Sequence, residues 1–216
     1  MGKGRADMNR RLVIAALLLF VIILPAQSQD RPDALERYNS GDYADAVDIC
    51  LEEIELAPRS RDSYSVLCWS LIALKRYEEA FEYATLAYDF ASSDPRIVEV
   101  LGEANYYLGK NLEALHLFET YAVIADTGGR IDRVYYYMGE VFVRLGEYNH
   151  ADIAFSTALY HSPNISSWWG RLGYAREMAA DYSNSLEAYS RALALNPNLL
   201  DADRGRMRVE SALSQN

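Results

Sequence analysis

Apolar residues recur every three to four positions along most of the chain, in short segments separated by turns. Val98, Leu101 and Leu108 follow this spacing before one turn, and Ala151 and Phe155 begin it after another. The spacing matches the 3.6-residue period of an amphipathic helix. Several of the turns contain a glycine, which tolerates the left-handed conformation that often ends a helix. The pattern predicts an all-α protein made of consecutive helix pairs.

The helix pairs repeat about every 34 residues, and three columns of similar residues keep this register through five units. The turn column comprises Tyr43, Tyr77, Asn111, Tyr148 and Tyr182. A column of small residues comprises Ala34, Cys68, Gly102, Gly139 and Gly173, and a column of mostly large residues comprises Cys50, Ala84, Phe118, Phe155 and Tyr189. A single helix pair cannot bury its apolar face, so the units are expected to stack on one another.

Two units carry the fullest version of a known repeat pattern. Its residues are Tyr135, Met138, Gly139, Phe142, Ala151, Phe155 and Pro163 in one unit, and Trp169, Leu172, Gly173, Ser185, Tyr189 and Pro197 in the next. This pattern resembles the tetratricopeptide repeat (TPR). The resemblance implies a right-handed α-solenoid of about five TPR helix pairs over residues 31–197. Its units are expected at residues 31–60, 61–94, 95–128, 129–163 and 164–197, with a capping helix and tail at residues 198–216.

The sequence departs from the repeat pattern at three places, and each departure predicts a local difference in structure. Pro32 leaves room for only a short leading helix in the first unit, and Ala84 stands where a large residue belongs, so Phe81 is expected to fill the gap. Three surplus residues near Thr127 and Gly128 form either a simple loop bulge or a hinge that changes the curvature of the solenoid.

The first 28 residues differ from the rest of the chain. A basic start is followed by 13 consecutive apolar residues at positions 12–24 and then by Pro-Ala-Gln-Ser. As a helix this run spans about 20 Å, less than the roughly 30 Å of a bilayer's hydrocarbon core. It is typical of a secretory signal peptide cleaved after Ser28. Cleavage after Ala26, or retention as a membrane anchor, are the alternatives. We therefore expect an exported protein of the periplasm or cell envelope.

Composition and charge narrow the classes of partner. The 216 residues are half apolar, and 31 acidic residues outnumber 21 Lys and Arg, for a net charge of −10. Without residues 1–28, which hold four basic and one acidic residue, the net charge is −13. An acidic surplus argues against nucleic acid as a partner, because binding to phosphates requires clustered Lys and Arg.

The sequence offers little that could support catalysis. The three histidines, His116, His150 and His161, do not share the spacing that binds zinc from one helix face. Phosphate-binding loops, nucleophile elbows and paired-cysteine zinc motifs are also missing from the sequence. We therefore expect no enzyme activity, no catalytic residue, no metal site and no cofactor.

Cys50 and Cys68 are the only cysteines. In an exported protein they face an oxidising environment. If the small and large columns meet across the junction between units, a disulfide would join the first two repeats. The alternative is a pair of buried thiols that pack as small apolar groups.

The resemblance also implies a binding groove, because in this family the inner wall formed by the leading helices receives extended or helical peptides. The predicted groove residues are Trp69, Glu99, Glu103, Tyr106, Tyr107, Tyr136, Tyr137, Glu140, Arg144, Arg171 and Tyr174. Tyr, Trp and Arg dominate binding hot spots. The alternative is that these aromatic rings only pack against neighbouring helices. The glutamates disfavour a carboxylate-terminated chaperone tail and favour a neutral or basic segment that carries aromatic residues.

These observations predict an exported TPR scaffold or adaptor that binds a protein or peptide partner in cell-envelope assembly or transport. One alternative is an accessory component of envelope transport that holds a small hydrophobic molecule. The other is self-assembly, in which a helix of one copy occupies the groove of the next. Contact with a membrane is expected only through an uncleaved signal.

Overall fold

The computed structural model describes residues 33–125 and 129–215. All the regular structure in these two stretches is helical, as predicted. The helices are α1 (Ala34–Ser40), α2 (Tyr43–Leu56), α3 (Arg61–Ala73), α4 (Tyr77–Ala91), α5 (Pro95–Tyr107), α6 (Asn111–Ile124), α7 (Ile131–Leu145), α8 (Tyr148–His161), α9 (Ser166–Met178), α10 (Tyr182–Leu195) and α11 (Leu200–Ser214). The expected signal peptide or anchor, and Thr127 and Gly128 of the insertion, lie outside the described residues. None of the described helices is both long enough and apolar enough to cross a membrane.

The five helix pairs turn at equivalent positions with the same backbone geometry. The residue at each turn has a positive φ, between 60° and 88°, and these residues are Gly41, Lys75, Gly109, Gly146 and Ala180. Glycine adopts this conformation without steric cost, whereas a side chain makes it unfavourable. Three units therefore use the residue suited to the turn, and two hold a residue with a Cβ in a strained conformation.

The helices form two layers. We call the first helix of each unit, together with α11, the leading helices (α1, α3, α5, α7, α9 and α11), and the second helices the trailing helices (α2, α4, α6, α8 and α10). Each trailing helix contacts the leading helix of its own unit and that of the next. Leading helices of successive units also contact one another, in the case of α7 and α9 through side chains. The result is the predicted solenoid of stacked helix pairs.

In the last three units the small and large columns meet inside the unit. A Cβ placed on Gly139 would lie 2.6 Å from the ring of Phe155, and one on Gly173 would lie 2.7 Å from the ring of Tyr189. Both aromatic residues belong to the trailing helix of the same unit. The absence of a side chain on the leading helix thus allows the ring to pack directly on its backbone.

The two cysteines are free and buried, as in the alternative of two packed thiols. Cys68 occupies the small-residue position of its unit opposite Ala84, and its Sγ donates a weak hydrogen bond to the carbonyl of Ala80 at 3.7 Å. Phe81 packs against the core beside this pair, as expected.

Helix α11 closes the array as predicted, and it packs like the leading helix of a further unit. Ala202, Gly205 and Val209 are buried on its inner side. Gly205 lies against the ring of Tyr189, so Tyr189 is held between the backbones of α9 and α11. The contact of α11 with α9 places its other side chains beside those of the preceding leading helix.

Candidate functional site

The predicted groove residues all lie on leading helices, and all of their aromatic side chains except Tyr174 contact another aromatic ring. The rings of Tyr77 and Tyr107 stack with their centroids 4.4 Å apart. The hydroxyl of Tyr107 lies 3.1 Å from that of Tyr137. Trp69 packs against Tyr38 at a centroid distance of 5.8 Å. Side chains from four units therefore contribute to one face, which we call the leading face.

The leading face contains a cavity of about 390 Å³ near its N-terminal end, which we call the N-terminal cavity. Five aromatic side chains line it together with three cationic ones. Its lining includes Tyr38, Tyr43, Trp69, Lys75, Tyr77, Glu103, Tyr107, Arg130 and Arg133. Aromatic walls with a few charged groups are typical of ligand sites.

A second cavity, of about 420 Å³, lies between α7, α9 and α11, and we call it the C-terminal cavity. It is also built from tyrosines and arginines. Its lining includes Tyr136, Arg171, Tyr174, Tyr189, Asp201, Arg204 and Arg208. The capping helix, which sequence reasoning treated as a solvated cap, therefore contributes charged groups to the candidate site.

Two of the predicted groove residues, Glu99 and Glu103, are buried beneath arginines. The Nε1 of Trp69 donates a hydrogen bond to Glu99 Oε2 at 3.1 Å. Arg130 Nε lies 2.8 Å from Glu99 Oε1, although this contact is not aligned as a hydrogen bond. Arg130 and Arg133 each approach Glu103 Oε1 at 3.3 Å. A partner on the leading face therefore meets the two arginines, and the carboxyl groups are covered.

The two glutamates are one helical turn apart on α5, and their proximity changes the protonation of Glu103. Burial, and after it the charge of Glu99, raise the pKa of the Glu103 carboxyl well above its ordinary value. The two arginines lower that pKa but do not outweigh these effects. The protonated form of Glu103 is thus more favoured than that of an ordinary surface glutamate, and either form can accept hydrogen bonds from the guanidinium groups.

The same arrangement recurs further along the leading face. Arg171 of α9 binds Glu140 of α7 through both carboxylate oxygens, at 2.5 and 2.9 Å. Arg208 of α11 binds Glu177 of α9 in the same way, at 2.6 and 2.8 Å. In both pairs the arginine is the more exposed side chain, at 33% against 11% and at 54% against 14%. Each carboxylate is thus covered by an arginine from the next leading helix.

Three other predicted groove residues are engaged within the protein. Arg144 donates a hydrogen bond to the backbone carbonyl of Tyr106 at 2.7 Å, and its Cζ lies 3.7 Å from the centre of that tyrosine's ring. Tyr106 and Tyr137 are buried. Tyr107, which is 37% exposed, and the half-buried Trp69 retain surface on the leading face. The half-buried side chains of Tyr136, Arg171 and Tyr174 do so at the C-terminal cavity.

Sequence reasoning missed several residues that line the two cavities. Tyr43 and Tyr77 were assigned only to the turn column, although that column lies beside the leading face. Arg130 precedes α7, outside any helical pattern that could have placed it. Arg204 and Arg208 lie on α11, which packs like a leading helix. The signal that could have identified Arg208 is its separation of 31 positions from Glu177, which is also the separation of Arg171 from Glu140.

Charge is distributed unequally between the two layers. The trailing helices carry 13 acidic residues and a single basic one, Arg191. The leading helices carry ten of each. Because the acidic members of the leading helices are partly buried under arginine, the excess negative charge belongs to the trailing layer.

The described residues contain no cluster of His, Cys, Asp and Glu side chains able to hold a metal ion. The three histidines are exposed and lie on trailing helices.

Comparison with known proteins identifies the fold. The chain is similar in structure to YrrB, described as a TPR protein with an unusual peptide-binding site, with a TM-score of 0.66 and 17% identity over 76% of this chain and 84% of that one. It is also similar to PilF of Pseudomonas aeruginosa, with a TM-score of 0.73 and 16% identity over 84% of this chain and 81% of that one. TTC0263, a TPR protein of Thermus thermophilus, matches with a TM-score of 0.61 and 20% identity over 83% of this chain and 95% of that one. No protein-family model matches the sequence, and no curated protein matches it either.

Proposed function

We propose that this chain, which has the TPR fold, is an exported scaffold that binds a segment of a partner protein on its leading face. The observation that carries the proposal is the continuity of that face. Aromatic and arginine side chains from successive units line two cavities on one side of the solenoid. Large aromatic surfaces with a few charged groups are suited to binding an extended chain.

The comparison with YrrB gives general support, because that TPR protein is described as having a peptide-binding site. Nothing about its ligand transfers to this chain at 17% identity. The N-terminal signal expected from residues 1–28 motivates the proposal that the scaffold acts in the cell envelope, in assembly or transport.

A small hydrophobic molecule is a weaker candidate for the two cavities. Their volumes fall in the range of ligand sites. However, Arg130 and Arg133 line one cavity and Arg171, Arg204 and Arg208 line the other. Burying these charges under an apolar molecule would cost desolvation free energy without a compensating interaction.

Site-specific photocrosslinking in the native cell tests the proposed face. A photoreactive phenylalanine at Tyr107 should give a discrete crosslinked product with another protein. The matched control is Tyr160 on trailing helix α8, which is 84% exposed and therefore at least as available for chance collisions. Identical products from both positions, or none from Tyr107, would contradict the proposal.

Export has its own test. Fractionation of the native cell should place the protein in the envelope or periplasm, and sequencing of its mature N-terminus should begin at Gln29. A start at Gln27 would indicate cleavage after Ala26. An intact N-terminus in a membrane fraction would indicate an anchor, and an intact N-terminus in the cytoplasm would refute export.

A further inference from the structure

We infer that the partner segment is acidic, and that its side-chain carboxylates bind the arginines that front the two cavities of the leading face. This inference rests on the proposed function and specifies its partner. It replaces the neutral or basic segment expected from the sequence, because the glutamates behind that expectation are covered by arginine.

The arginines keep hydrogen-bonding capacity for a ligand. Arg130, Arg133, Arg171 and Arg208 hold their glutamates through Nε, Nη2 or both. Among the described residues, the Nη1 group of each of these four has no hydrogen-bond partner. A guanidinium can bind one carboxylate along one edge and a second with its remaining N–H groups. Each arginine is thus oriented by an internal carboxylate and can still donate to an external one.

Each cavity also has one cation without an ion-pair partner in the described part of the chain. Lys75 in the N-terminal cavity and Arg204 in the C-terminal cavity are both exposed. Among the side chains that line the cavities, three cations stand against Glu103 at the N-terminal cavity and three against Asp201 at the C-terminal cavity. The other glutamates that pair with the lining arginines do not line either cavity, so an incoming carboxylate meets the cationic groups first.

The negative charge of the trailing layer favours binding of an acidic segment on the leading face. With 13 acidic residues against one basic residue, that layer repels an acidic segment, whereas the leading face attracts it. The arginines follow one another singly along the leading helices and do not form a dense patch. This spacing suits separated carboxylates on a peptide better than the continuous phosphates of a nucleic acid.

The architecture also gives an approximate spacing for the acidic residues. The N-terminal cavity is lined mainly from α3 and α5 and the C-terminal cavity mainly from α9 and α11, so their centres are about three leading helices apart. Packed helices are about 8–10 Å apart, so the centres of the two cavities are separated by about 27 Å. An extended chain advances about 3.3 Å per residue, so one segment would reach both cavities with acidic residues about eight positions apart.

Binding of designed peptides to the full chain, measured by fluorescence polarisation, tests the inference. The probe is a terminally blocked fourteen-residue peptide with two Glu-Tyr pairs eight positions apart in a Gly/Ser background. Matched peptides replace both Glu with Gln or both with Lys. We expect the Glu peptide to bind at least tenfold more tightly than the Gln peptide. The preference should shrink as sodium chloride rises from 50 to 300 mM, because salt screens charge interactions.

Variants of the protein locate the effect. Lys75→Gln and Arg204→Gln remove cations that hold nothing in the fold, so we expect each to weaken binding of the Glu peptide about three- to tenfold. Arg191→Gln removes an exposed cation of the trailing layer and should leave binding unchanged. Circular dichroism should give the same helicity for all three variants.

The outcomes separate this inference from the proposed function. Equal or tighter binding of the Gln or Lys peptide overturns the acidic partner but leaves the leading face as a peptide site. Equal weakening by Arg191→Gln, or tighter binding of a single-stranded oligonucleotide than of the Glu peptide, also overturns it. Failure of all three peptides to bind refutes the inference, and the crosslinking experiment at Tyr107 then decides the proposed function independently.

Discussion

The contact between Gly139 and Phe155 makes a prediction that separates helix propensity from packing. Alanine at position 139 would bring its Cβ within 2.6 Å of two ring atoms and 2.9 Å of a third. The ring of Phe155 is fully buried, so its displacement would have to move the side chains packed around it. Overpacking of this kind costs about 1–3 kcal/mol, and the better helix propensity of alanine returns about 1 kcal/mol. We therefore expect Gly139→Ala to lower the free energy of unfolding by up to about 2 kcal/mol.

Gly170 provides the matched control, because it also lies within a leading helix but has room for a methyl group. A Cβ there would meet Leu199 at 3.5 Å and Ala202 at 3.8 Å, which are ordinary contact distances. Gly170→Ala should therefore raise the free energy of unfolding by about 1 kcal/mol through helix propensity alone.

Urea unfolding followed by circular dichroism at 222 nm measures both changes. A loss of about 2 kcal/mol lowers the midpoint by about 1 M for a slope near 2 kcal/mol/M. The two variants should shift the midpoint in opposite directions without changing the slope. If Gly139→Ala is as stable as Gly170→Ala, the packing of the aromatic column on the glycine backbone does not constrain the fold in this way.

Three further predictions concern the turns, the buried carboxyls and the thiols. Positions 180 and 146 both have a positive φ, which is unfavourable for a residue with a Cβ. Ala180→Gly should therefore raise the free energy of unfolding by about 1 kcal/mol, and Gly146→Ala should lower it by a similar amount. Thermal unfolding measures both changes. The raised pKa of Glu103 means that its contribution to stability is present at acidic pH and is lost as pH rises from the ordinary glutamate pKa through the raised one. Glu103→Gln should therefore flatten the pH dependence of the free energy of unfolding above about pH 4.5. An unchanged pH profile would contradict this. Burial raises the pKa of Cys50 to about 12 and that of Cys68 still further. Neither thiol should therefore react with iodoacetamide at pH 8 until the protein is denatured. An intact mass two units below that of the reduced chain would instead indicate a disulfide.

The sequence was sufficient to predict the fold because each repeat places small and large residues at the same positions. The column of small residues and the column of mostly large residues can be recognised without coordinates, because they keep a fixed spacing along the sequence. The helix pairs, the shortened first helix and the capping helix follow from that register. What the register could not give was which helix of which unit each column contacts, so it left open whether Cys50 and Cys68 are bonded or, as the structure has them, free.

The candidate site was less predictable than the fold. Spacing placed Glu99, Glu103 and Glu140 on the leading helices, but it could not tell an exposed carboxylate from one covered by arginine. The covering residues lie about 30 positions away, and their long side chains can reach several partners. Arg130 was missed for a further reason: it lies in the connection before α7, where no helical periodicity applies. The sign of the exposed charge therefore emerged only from the assembled structure.

The position of Tyr189 between Gly173 and Gly205 has a consequence for engineering. Because α11 already docks as the first half of another repeat, a designed second half fused after residue 214 would extend the array by one full module. Its inward side would need only to complement Leu200 and Met207, which are 67% and 60% exposed on the final helix. The solenoid can thus be lengthened at this end without rebuilding any interface that it already contains.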